Sequence, residues 1–346
     1  MNQQNYFSNL PKCYLIAEIG VNHNGNMNLA YQMIDAAKES GADAVKFQTF
    51  TADALVSQTT PKVRYQESNT APEETHYDML HKLELTRENH ILLKAYCEHL
   101  DLEFLSTPYD VESARFLHEE LNVTLFKTAS ADIVDLPLHR YIASTGKPAI
   151  VSTGMANLGE IEEVIEIYRQ AQNSNLVLLH CVSNYPCEDE SLNLKVMKTL
   201  QYAFDVPVGY SDHSVGLEAA TLSIGLGATV IEKHFTLDKN LSGPDHTASS
   251  TPEEFSQLVT AVRRAEKMLG SPVKKCQEEE RQMAQISRKS IVLNIPLSAG
   301  ELIEAKHLTL KRPGTGLAAK EIDRLIGKIT TRSLEKGYQI TFSDLK

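Results

Sequence analysis

Short apolar or β-branched runs alternate with amphipathic helical segments eight times along most of the chain. This alternation predicts parallel strands joined by right-handed helical crossovers, and eight such units close a (β/α)8 TIM barrel. Because periodicity alone does not show closure, a doubly wound open sheet is the alternative. The predicted strands span residues 13–21, 44–50, 104–109, 125–130, 149–154, 176–183, 207–213 and 230–235.

Helix starts carry recognisable capping patterns. Asn157 with a glutamate three residues later predicts a helix over about 158–172. The sequence TPEE, which begins at Thr251, is a capping box with proline at the first helical position and predicts a helix over 252–269. These helices fall where the barrel pattern requires them.

The segment between the second and third predicted strands, residues 51–86, is unusually long and polar. It contains the sequence YQESNT (65–70) before a helix-like stretch. Extra length after a barrel strand lies at the rim formed by the carboxyl ends of the strands, where barrel active sites are found. We therefore interpret this segment as a candidate substrate-covering loop.

The last part of the chain follows a different pattern. A charged stretch at 271–286 is typical of a linker between a barrel over 1–270 and a second domain over 287–346. Within that domain, residues 297–308 and 334–345 both have Leu, then Gly three, Ile six and Leu eleven positions later. The repeat predicts a small pseudo-symmetric β module, and chance similarity of two hairpins is the alternative. So small a module has little core of its own and needs a partner surface.

Composition narrows the classes of function. The net charge is −11 and no run of Lys or Arg offsets it, which argues against nucleic-acid binding. We find neither a signal peptide nor an apolar stretch approaching the ~18–20 residues of a membrane span, so we expect no membrane partner. The five cysteines are odd in number and form no CxxC pair, as in a cytoplasmic protein with reduced thiols.

Two histidines, His213 and His234, lie at or near the ends of neighbouring predicted strands. In a parallel barrel both imidazoles reach the same rim. Imidazole suits Mn, Zn, Fe or Ni, and two protein ligands leave positions open for substrate. Because Asp212, Glu232 and Asp245 are close in sequence, the pair predicts a catalytic metal site.

Polar and charged residues also occur near the ends of the predicted strands. Because a lone buried charge is costly, these residues are better explained as ligand-binding groups than as part of the core. Residues two apart share a face of a strand, which pairs Lys46 with Gln48, Ser130 with Asp132, Ser211 with His213, and Glu232 with His234. Lys127 reaches the rim together with Ser130 only if that strand ends irregularly. Two cations and several hydroxyls suit a phosphate and a carboxylate on one small molecule. These residues are Lys46, Thr107, Lys127, Ser130, Ser152, Ser183 and Ser211.

The motifs together resemble those of the sialic acid synthases, bacterial N-acetylneuraminate and legionaminate synthases in particular. The resemblance covers nearly the whole chain, and its C-terminal part is similar to the small antifreeze-like (SAF) domain, over 287–346. The motifs are AEIGVNHNG (17–25), AVKFQTF, FLSTPYD, STGMANLGEIEE, HC-x3-YP (180–186), GYSDHS, EKHFTLDKNLSGPDH and KRPGTG (311–316).

The resemblance implies a phosphoenolpyruvate-dependent transferase. Phosphoenolpyruvate would condense with an open-chain N-acyl-hexosamine to a nine-carbon 2-keto acid, with release of phosphate. The implied sugar is N-acetylmannosamine or a 2,4-diacetamido-trideoxymannose. The related altrose of a pseudaminic acid synthase is the alternative, and a metal-dependent barrel hydrolase or a non-catalytic binding protein are rivals from other classes.

The resemblance also implies roles for residues. His213 and His234 would hold a divalent metal, Mn²⁺ for preference and Mg²⁺ or Co²⁺ otherwise. With Glu18 and the proton-transfer candidate Glu232 they form the implied catalytic set. The seven lysine and hydroxyl residues named above would hold phosphoenolpyruvate. The implied sugar-binding residues are Gln48, Asn69, Asp132, Tyr185, Asp245 and Arg312, the last reaching the partner subunit's site in a domain-swapped homodimer.

The chain departs from the family pattern in two places. Many bacterial members have Pro-Ser-Gly-Glu where this chain has Ala129-Ser130-Ala131-Asp132, and Ser183 stands where members often have Asn or Thr. Neither change removes a group implied for the metal or for phosphoenolpyruvate. Both bear on which sugar is accepted.

Overall fold

Eight parallel strands form one sheet in the part of the chain described by the computed structural model, residues 5–62, 69–70 and 74–346. The ladder runs in the order β3-β2-β1-β8-β7-β6-β5-β4, and β3 and β4 are in contact across the remaining gap. The predicted barrel is confirmed. Its strands are β1 Tyr14–Gly20, β2 Ala44–Thr49, β3 Glu103–Pro108, β4 Phe126–Thr128, β5 Ala149–Ser152, β6 Leu176–His180, β7 Val208–Asp212 and β8 Ala228–His234.

Helices separate the strands, as the sequence predicts. The helix at Leu158–Gln170 begins with a capping box at Asn157 and ends two residues before the predicted position. The helix at Pro252–Leu269 has the predicted bounds and a capping box at Thr251. The barrel helices are α1 Met27–Glu39, α2 Ala52–Leu55, α3 His76–Leu83, α4 Arg87–His99, α5 Val111–Arg115, α6 Leu136–Ser144, α7 Leu158–Gln170, α8 Asp189–Leu192, α9 Val196–Phe204, α10 Glu218–Gly225 and α11 Pro252–Leu269.

The interior of the barrel is built in layers. An apolar cluster includes Ile16, Ala44, Leu105, Leu125, Ile150 and Val230, each nearly or fully buried. Two residues after each of these apolar residues, and within a barrel strand, lies a polar or charged residue. Because residues two apart share a face of a strand, the second set forms a polar layer above the apolar one. The polar layer consists of Glu18, Lys46, Thr107, Lys127, Ser152 and Glu232, all buried.

The fourth strand is shorter than predicted. Its hydrogen-bonded ladder with β5 ends at Thr128, and a 3₁₀ helix follows at Ser130–Val134. The prediction that Ser130 and Asp132 share a face of a strand is therefore wrong, because the chain has left the sheet before either residue. This early ending is the irregularity that Lys127 and Ser130 need in order to reach one rim together.

A second compact unit begins at Ser271. Helix α12, Arg281–Ser287, lies largely within the segment predicted as a linker. Strands β9, Ser290–Leu293, and β10, Leu308–Lys311, pair in antiparallel fashion, and helix α13 spans Ile322–Leu325. The unit has a small core of its own, formed by Ile291, Leu293, Leu297, Ile303, Leu325, Leu334 and Ile340.

The internal repeat is visible in this second unit. Leu297 and Leu334, the first residues of the two repeat segments, exchange backbone hydrogen bonds of 2.9 and 2.8 Å. Gly300 and Gly337 both have φ of +86°, a conformation that favours glycine. The two repeat segments are thus paired equivalents rather than unrelated hairpins.

No helix in the described ranges combines the length and the apolar character needed to cross a bilayer.

Two glycines provide a matched test of barrel packing. A Cβ added to Gly209 in β7 would lie 2.4 Å from the Val230 carbonyl oxygen and 2.5 Å from a Leu179 methyl carbon, whereas at Gly225 it would meet open space. Gly209→Ala should lower the free energy of unfolding by about 1–3 kcal/mol, as overpacked cores do. Gly225→Ala should leave it unchanged or slightly higher. Urea unfolding followed by circular dichroism measures both, and equal effects would contradict the packing described.

Candidate functional site

A cavity of about 1030 Å³ opens at the carboxyl ends of the barrel strands. Strands β1, β2, β4, β5, β7 and β8 contribute to its lining, together with the loops that follow them. Most of the predicted site residues line this one cavity. They are Glu18, Lys46, Gln48, Lys127, Ser130, Ser152, Ser183, Tyr185, Ser211, His213, Glu232, His234 and Asp245.

Four buried charges form the floor of the cavity. The Lys46 ammonium lies 2.7 Å from a Glu18 carboxylate oxygen and 3.8 Å from Glu232, and Lys127 lies 3.5 Å from Glu232. All four side chains are at most 5% exposed. Buried charges are tolerated only when they are paired. Below we call these four residues the charge cluster.

The charge cluster shifts the pKa of each member. Burial raises the pKa of Glu18 to about 7, because its effect outweighs the opposing charge of Lys46, and the negative charge of Glu232 adds to the rise. Burial also opposes ionisation of Glu232, but Lys127 and Lys46 outweigh it and hold the pKa of Glu232 below its ordinary value. Burial lowers the pKa of Lys127, whereas the two carboxylates raise the pKa of Lys46 despite its burial.

Hydroxyl groups surround the charge cluster. Lys46 donates to Thr107 Oγ1 at 3.0 Å, and Lys127 donates to Ser152 Oγ at 2.6 Å. Ser211 donates to Glu232 at 3.1 Å. Thr107 is fully buried and supports Lys46 without being among the described lining residues. The predicted cations and hydroxyls therefore lie together at the cavity. Thr107 lies behind the cavity surface and contacts it through Lys46.

A second group of hydroxyls meets at Gly154. The Ser130 hydroxyl accepts a hydrogen bond of 3.0 Å from the Gly154 N–H and lies 3.0 Å from Cys181 Sγ. A Cβ on Gly154 would be 2.5 Å from Ser183 Oγ and 2.8 Å from Ser130 Oγ. Glycine therefore lets these hydroxyls converge. Gly154 and Cys181 were not predicted as site residues, although both lie within the motifs STGMANLGEIEE and HC-x3-YP.

The two histidines lie side by side. Their ring centroids are 5.6 Å apart, and the Tyr185 ring lies 4.2 Å from that of His213. His213 Nδ1 is 2.7 Å from the Val182 carbonyl oxygen, which fixes the ring, while His234 Nδ1 is buried without a hydrogen-bond partner among the described residues. Burial lowers the pKa of His213 and that of His234, the latter to about 3.

These features fit a metal held by two imidazoles. Both rings favour the neutral form, which is the form that binds metals, and a carbonyl partner on one nitrogen leaves the other for a ligand. In the described part of the chain, no cluster of three or more His, Cys, Asp or Glu side chains is arranged to hold a metal ion. A metal here would take its other ligands from water or substrate.

A second ion pair fixes the strand ends that carry the histidines. Lys233 lies 2.6 Å from Asp212, and both side chains are buried on the face of the sheet away from the cavity. Lys233 also donates to the Ser214 carbonyl oxygen at 2.8 Å. Each of the two charged residues adjoins one of the histidines in sequence. The pair therefore holds the ends of β7 and β8 in register.

Three predicted sugar-binding residues are not among the described lining residues. The Asn69 amide donates to the Pro244 carbonyl oxygen at 3.2 Å and to Thr247 Oγ1 at 3.0 Å, which ties the segment after β2 to the loop after β8. The rest of that segment's YQES sequence lies outside the described residues. Asp132 lies in the 3₁₀ helix after β4. Arg312 is exposed in the second unit.

One side of the cavity is apolar, a feature that was not predicted from the sequence. Helix α3 presents Met79, Leu80 and Leu83, and the segment around α2 presents Leu55 and Val56. Val21, just after β1, joins them. The spacing of apolar residues within 51–86 could have indicated this surface, but we interpreted that segment only as a covering loop. We call these six side chains the apolar wall.

Comparison with known proteins places the chain in a family. The NeuB family profile matches residues 33–274, and the SAF domain profile matches residues 288–346. The chain belongs to the NeuB family. The resemblance stated from the motifs, including the SAF domain, is thereby confirmed.

Proteins named as synthases match over most or nearly all of the chain. An N,N'-diacetyllegionaminic acid synthase of Legionella pneumophila is 46% identical over 338 residues, which cover 96% of this chain and 95% of that protein. One from Campylobacter jejuni is 44% identical and covers 94% of this chain and 98% of its own length. The crystal structure of an N-acetylneuraminic acid (sialic acid) synthetase from Leptospira borgpetersenii has a TM-score of 0.71 and 34% identity, covering 79% of this chain and 90% of that one.

Asp132 gives this site a measurable pH dependence. Burial, and then the neighbouring Asp135, raise the pKa of Asp132 from 3.8 to about 7. Between these values the unfolded chain loses the proton before the folded chain does, so folding is weakened progressively as the pH rises and the loss is complete above the folded pKa. Asp132→Asn removes this loss. The free energy of unfolding of Asp132→Asn should therefore increase relative to that of the parent as the pH rises from 4 to 7. Above pH 7 the difference between the two proteins should level off.

Chemical denaturation at several pH values measures the difference between Asp132→Asn and the parent. The difference should be smallest at the acid end of this range, because near pH 4 the folded carboxyl is protonated and the unfolded carboxyl, with its pKa of 3.8, is only partly ionised. A difference that does not change with pH would mean that Asp132 titrates normally in the folded protein.

Proposed function

We propose that this NeuB-family chain condenses phosphoenolpyruvate with an N-acyl-hexosamine to a nine-carbon 2-keto acid and phosphate. The observation that carries the proposal is one cavity in which the charge cluster lies beside the histidine pair. Full-length similarity to synthases of this kind supports the reaction class. A hydrolase would favour a third histidine or a bridging carboxylate at the metal, and the described residues offer no such cluster.

Phosphoenolpyruvate carries a phosphate and a carboxylate, and we assign both to the lysine and hydroxyl groups. Lys46 and Lys127 supply charge, and Ser130, Ser152 and Ser183 supply hydroxyls on the cavity surface. Charge-assisted hydrogen bonds of this kind are about twice as strong as neutral ones. Ser211 adds a further hydroxyl, and Thr107 orients Lys46 from behind.

We assign a divalent metal, Mn²⁺ for preference, to His213 and His234. When bound, it supplies Lewis acidity that polarises the aldehyde oxygen of the open-chain sugar. The unpartnered buried nitrogen of His234 and the carbonyl-fixed ring of His213 support this assignment. The Tyr185 ring packs on His213 and, from 5.5 Å, on His234, so it keeps both imidazoles in place.

The carboxylates of the charge cluster handle protons and orient the lysines. The enol carbon of phosphoenolpyruvate forms the new C–C bond to the aldehyde carbon, water adds at C2, and phosphate leaves by C–O cleavage. Glu232 touches both lysines and Ser211, so it is the group best placed to move a proton during these steps. Glu18 contacts Lys46 and Gln48 and lies between the phosphoenolpyruvate groups and the sugar side.

For the sugar we propose a 2,4-diacetamido-trideoxymannose, the choice that similarity to two N,N'-diacetyllegionaminic acid synthases supports. Gln48, Tyr185 and Asp245 line the cavity where this sugar would lie. Asn69 and Asp132 then act from behind the surface. N-acetylmannosamine and the altrose of pseudaminate synthesis are the competing substrates.

The assay that tests this function is phosphate release from phosphoenolpyruvate with each of the three sugars. We expect the highest kcat/KM with the diacetamido-trideoxymannose, and mass spectrometry should find the nine-carbon acid. Phosphate release without any sugar would indicate a hydrolase. Failure of all three sugars would reject the proposed reaction.

The metal assignment predicts that His213→Ala and His234→Ala each abolish Mn²⁺ binding and phosphate release while the fold is kept. Electron paramagnetic resonance of added Mn²⁺ measures binding independently of turnover. His180→Ala is the matched control, because His180 is a buried strand-end histidine that bonds to the Leu192 carbonyl oxygen away from the cavity lining. Full activity in excess EDTA, or normal Mn²⁺ binding by both variants, would contradict the assignment.

We further propose that the working unit is a cytoplasmic homodimer with exchanged C-terminal units. The small core of the second unit and the exposure of Arg312 on a Gly/Pro-rich turn support the exchange. Arg312 would contact the N-acetyl group of the sugar in the partner subunit's site. The cysteines, all within the described residues, are free thiols, as expected of a reducing compartment.

Exchange of units predicts complementation. Arg312→Ala and His234→Ala homodimers should both be nearly inactive, because every composite site lacks one of the two groups. In a mixed dimer, one of the two sites receives both an intact Arg312 and an intact His234. Mixing the chains should therefore restore part of the phosphate release. Subunit exchange confirmed by mass spectrometry, with no recovered rate, would mean that Arg312 serves its own barrel or none.

A further inference from the structure

The apolar wall is a preformed surface of the cavity. Met79, Leu80 and Leu83 are 3%, 8% and 6% exposed, and they pack with Val21 and Phe50 in one hydrophobic cluster. Leu55 and Val56 are partly buried against the same cluster. Side chains held in a packed cluster do not rearrange freely to hide from a ligand. The wall therefore offers fixed apolar area to whatever occupies the cavity.

The groups assigned to phosphoenolpyruvate and the metal come from other elements. They lie at the ends of β2, β4, β5, β7 and β8 or just beyond β4 and β6, whereas five of the six wall residues come from the segment between β2 and α4. Phosphoenolpyruvate is small and highly charged, so it gains nothing from an apolar surface. If the apolar wall contacts a substrate, that substrate is therefore the sugar.

Methyl groups and hydroxyls behave oppositely on such a surface. Burial of a methyl group against it is favourable by about 0.8 kcal/mol or more, whereas a hydroxyl buried there loses hydrogen bonds to water without replacement. A 2,4-diacetamido-trideoxymannose has a methyl at C6 and an acetamido group at C4. N-acetylmannosamine has hydroxyls at both positions. The two sugars therefore differ in whether they present methyl groups or hydroxyls to the apolar wall at C4 and C6.

We propose that the apolar wall selects the sugar, by receiving the C6 methyl and the C4 acetamido methyl of the diacetamido-trideoxymannose. This inference rests on the proposed function and assigns its specificity to residues outside the charge cluster and the histidine pair. Discrimination at one apolar contact is about 10- to 200-fold in kcat/KM. We expect the parent enzyme to prefer the diacetamido sugar over N-acetylmannosamine by at least about tenfold.

The first test changes the wall. Leu80→Asn places an amide in the wall, so it should lower kcat/KM for the diacetamido sugar about tenfold or more and lower that for N-acetylmannosamine much less. Leu80→Met keeps the apolar character and should keep the preference. Leu121→Ala is the matched control, since Leu121 is a buried leucine, 5% exposed, outside the cavity lining. It should lower stability without changing the ratio of the two sugars.

The second test uses the unaltered protein and needs no turnover. Two of the eight methionines line the cavity, Met79 in the wall and Met155 next to Gly154. With ¹³C-methyl methionine and with signals assigned by Met79→Leu and Met155→Leu, the diacetamido sugar should shift the Met79 signal. Phosphoenolpyruvate should shift Met155 and leave Met79 nearly unchanged.

The outcomes separate this inference from the proposed function. Turnover of the diacetamido sugar with an unshifted Met79 signal, or with a sugar ratio unchanged in Leu80→Asn, would overturn the role of the wall and leave the reaction standing. A Met79 shift without phosphate release from any sugar would support the sugar surface and reject the reaction. No shift and no turnover would overturn both.

Discussion

The buried charge cluster is the interaction on which the rest of the cavity depends. Glu232 on β8 contacts Lys46 on β2 and Lys127 on β4, two strands that lie towards opposite ends of the hydrogen-bonded ladder. Glu18 completes the balance from β1. None of the four charges could remain in the barrel alone, because removal of one partner leaves an uncompensated buried charge. The cluster therefore joins distant strands while it keeps two cations available to an anionic ligand.

The layered interior explains how the barrel tolerates such a cluster. The apolar layer formed by residues such as Ile16, Leu105 and Ile150 closes the barrel beneath it and excludes water from below. Burial strengthens each electrostatic contact in the layer above. The same burial holds the histidine rings in their neutral form. The barrel interior is thus apolar towards the amino-terminal half of the strands and polar towards the carboxyl-terminal half.

Much of this arrangement could be predicted from the sequence, because strand periodicity assigns a face to each residue. Lys46, Glu232 and the two histidines were placed correctly by counting along predicted strands. Asp132 departs from the prediction because the chain leaves the sheet before it and enters a 3₁₀ helix, which no periodicity announces. The apolar wall was missed for a related reason, since its residues converge only through tertiary packing. Asn69 illustrates the same limit, because its hydrogen bonds cross between two loops.

The cavity has two kinds of wall, and they come from different parts of the chain. The strand ends carry the charge cluster and the histidine pair, and the Asp212–Lys233 pair holds two of those ends from the outer face. The apolar wall belongs mainly to one inserted segment between strands. Exchange of that segment between homologues would alter the apolar side of the cavity while each charged group kept its own backbone support. For protein engineering, this gives two separate targets: the inserted segment, which we propose governs substrate choice, and the strand ends, which carry the groups proposed for bond formation.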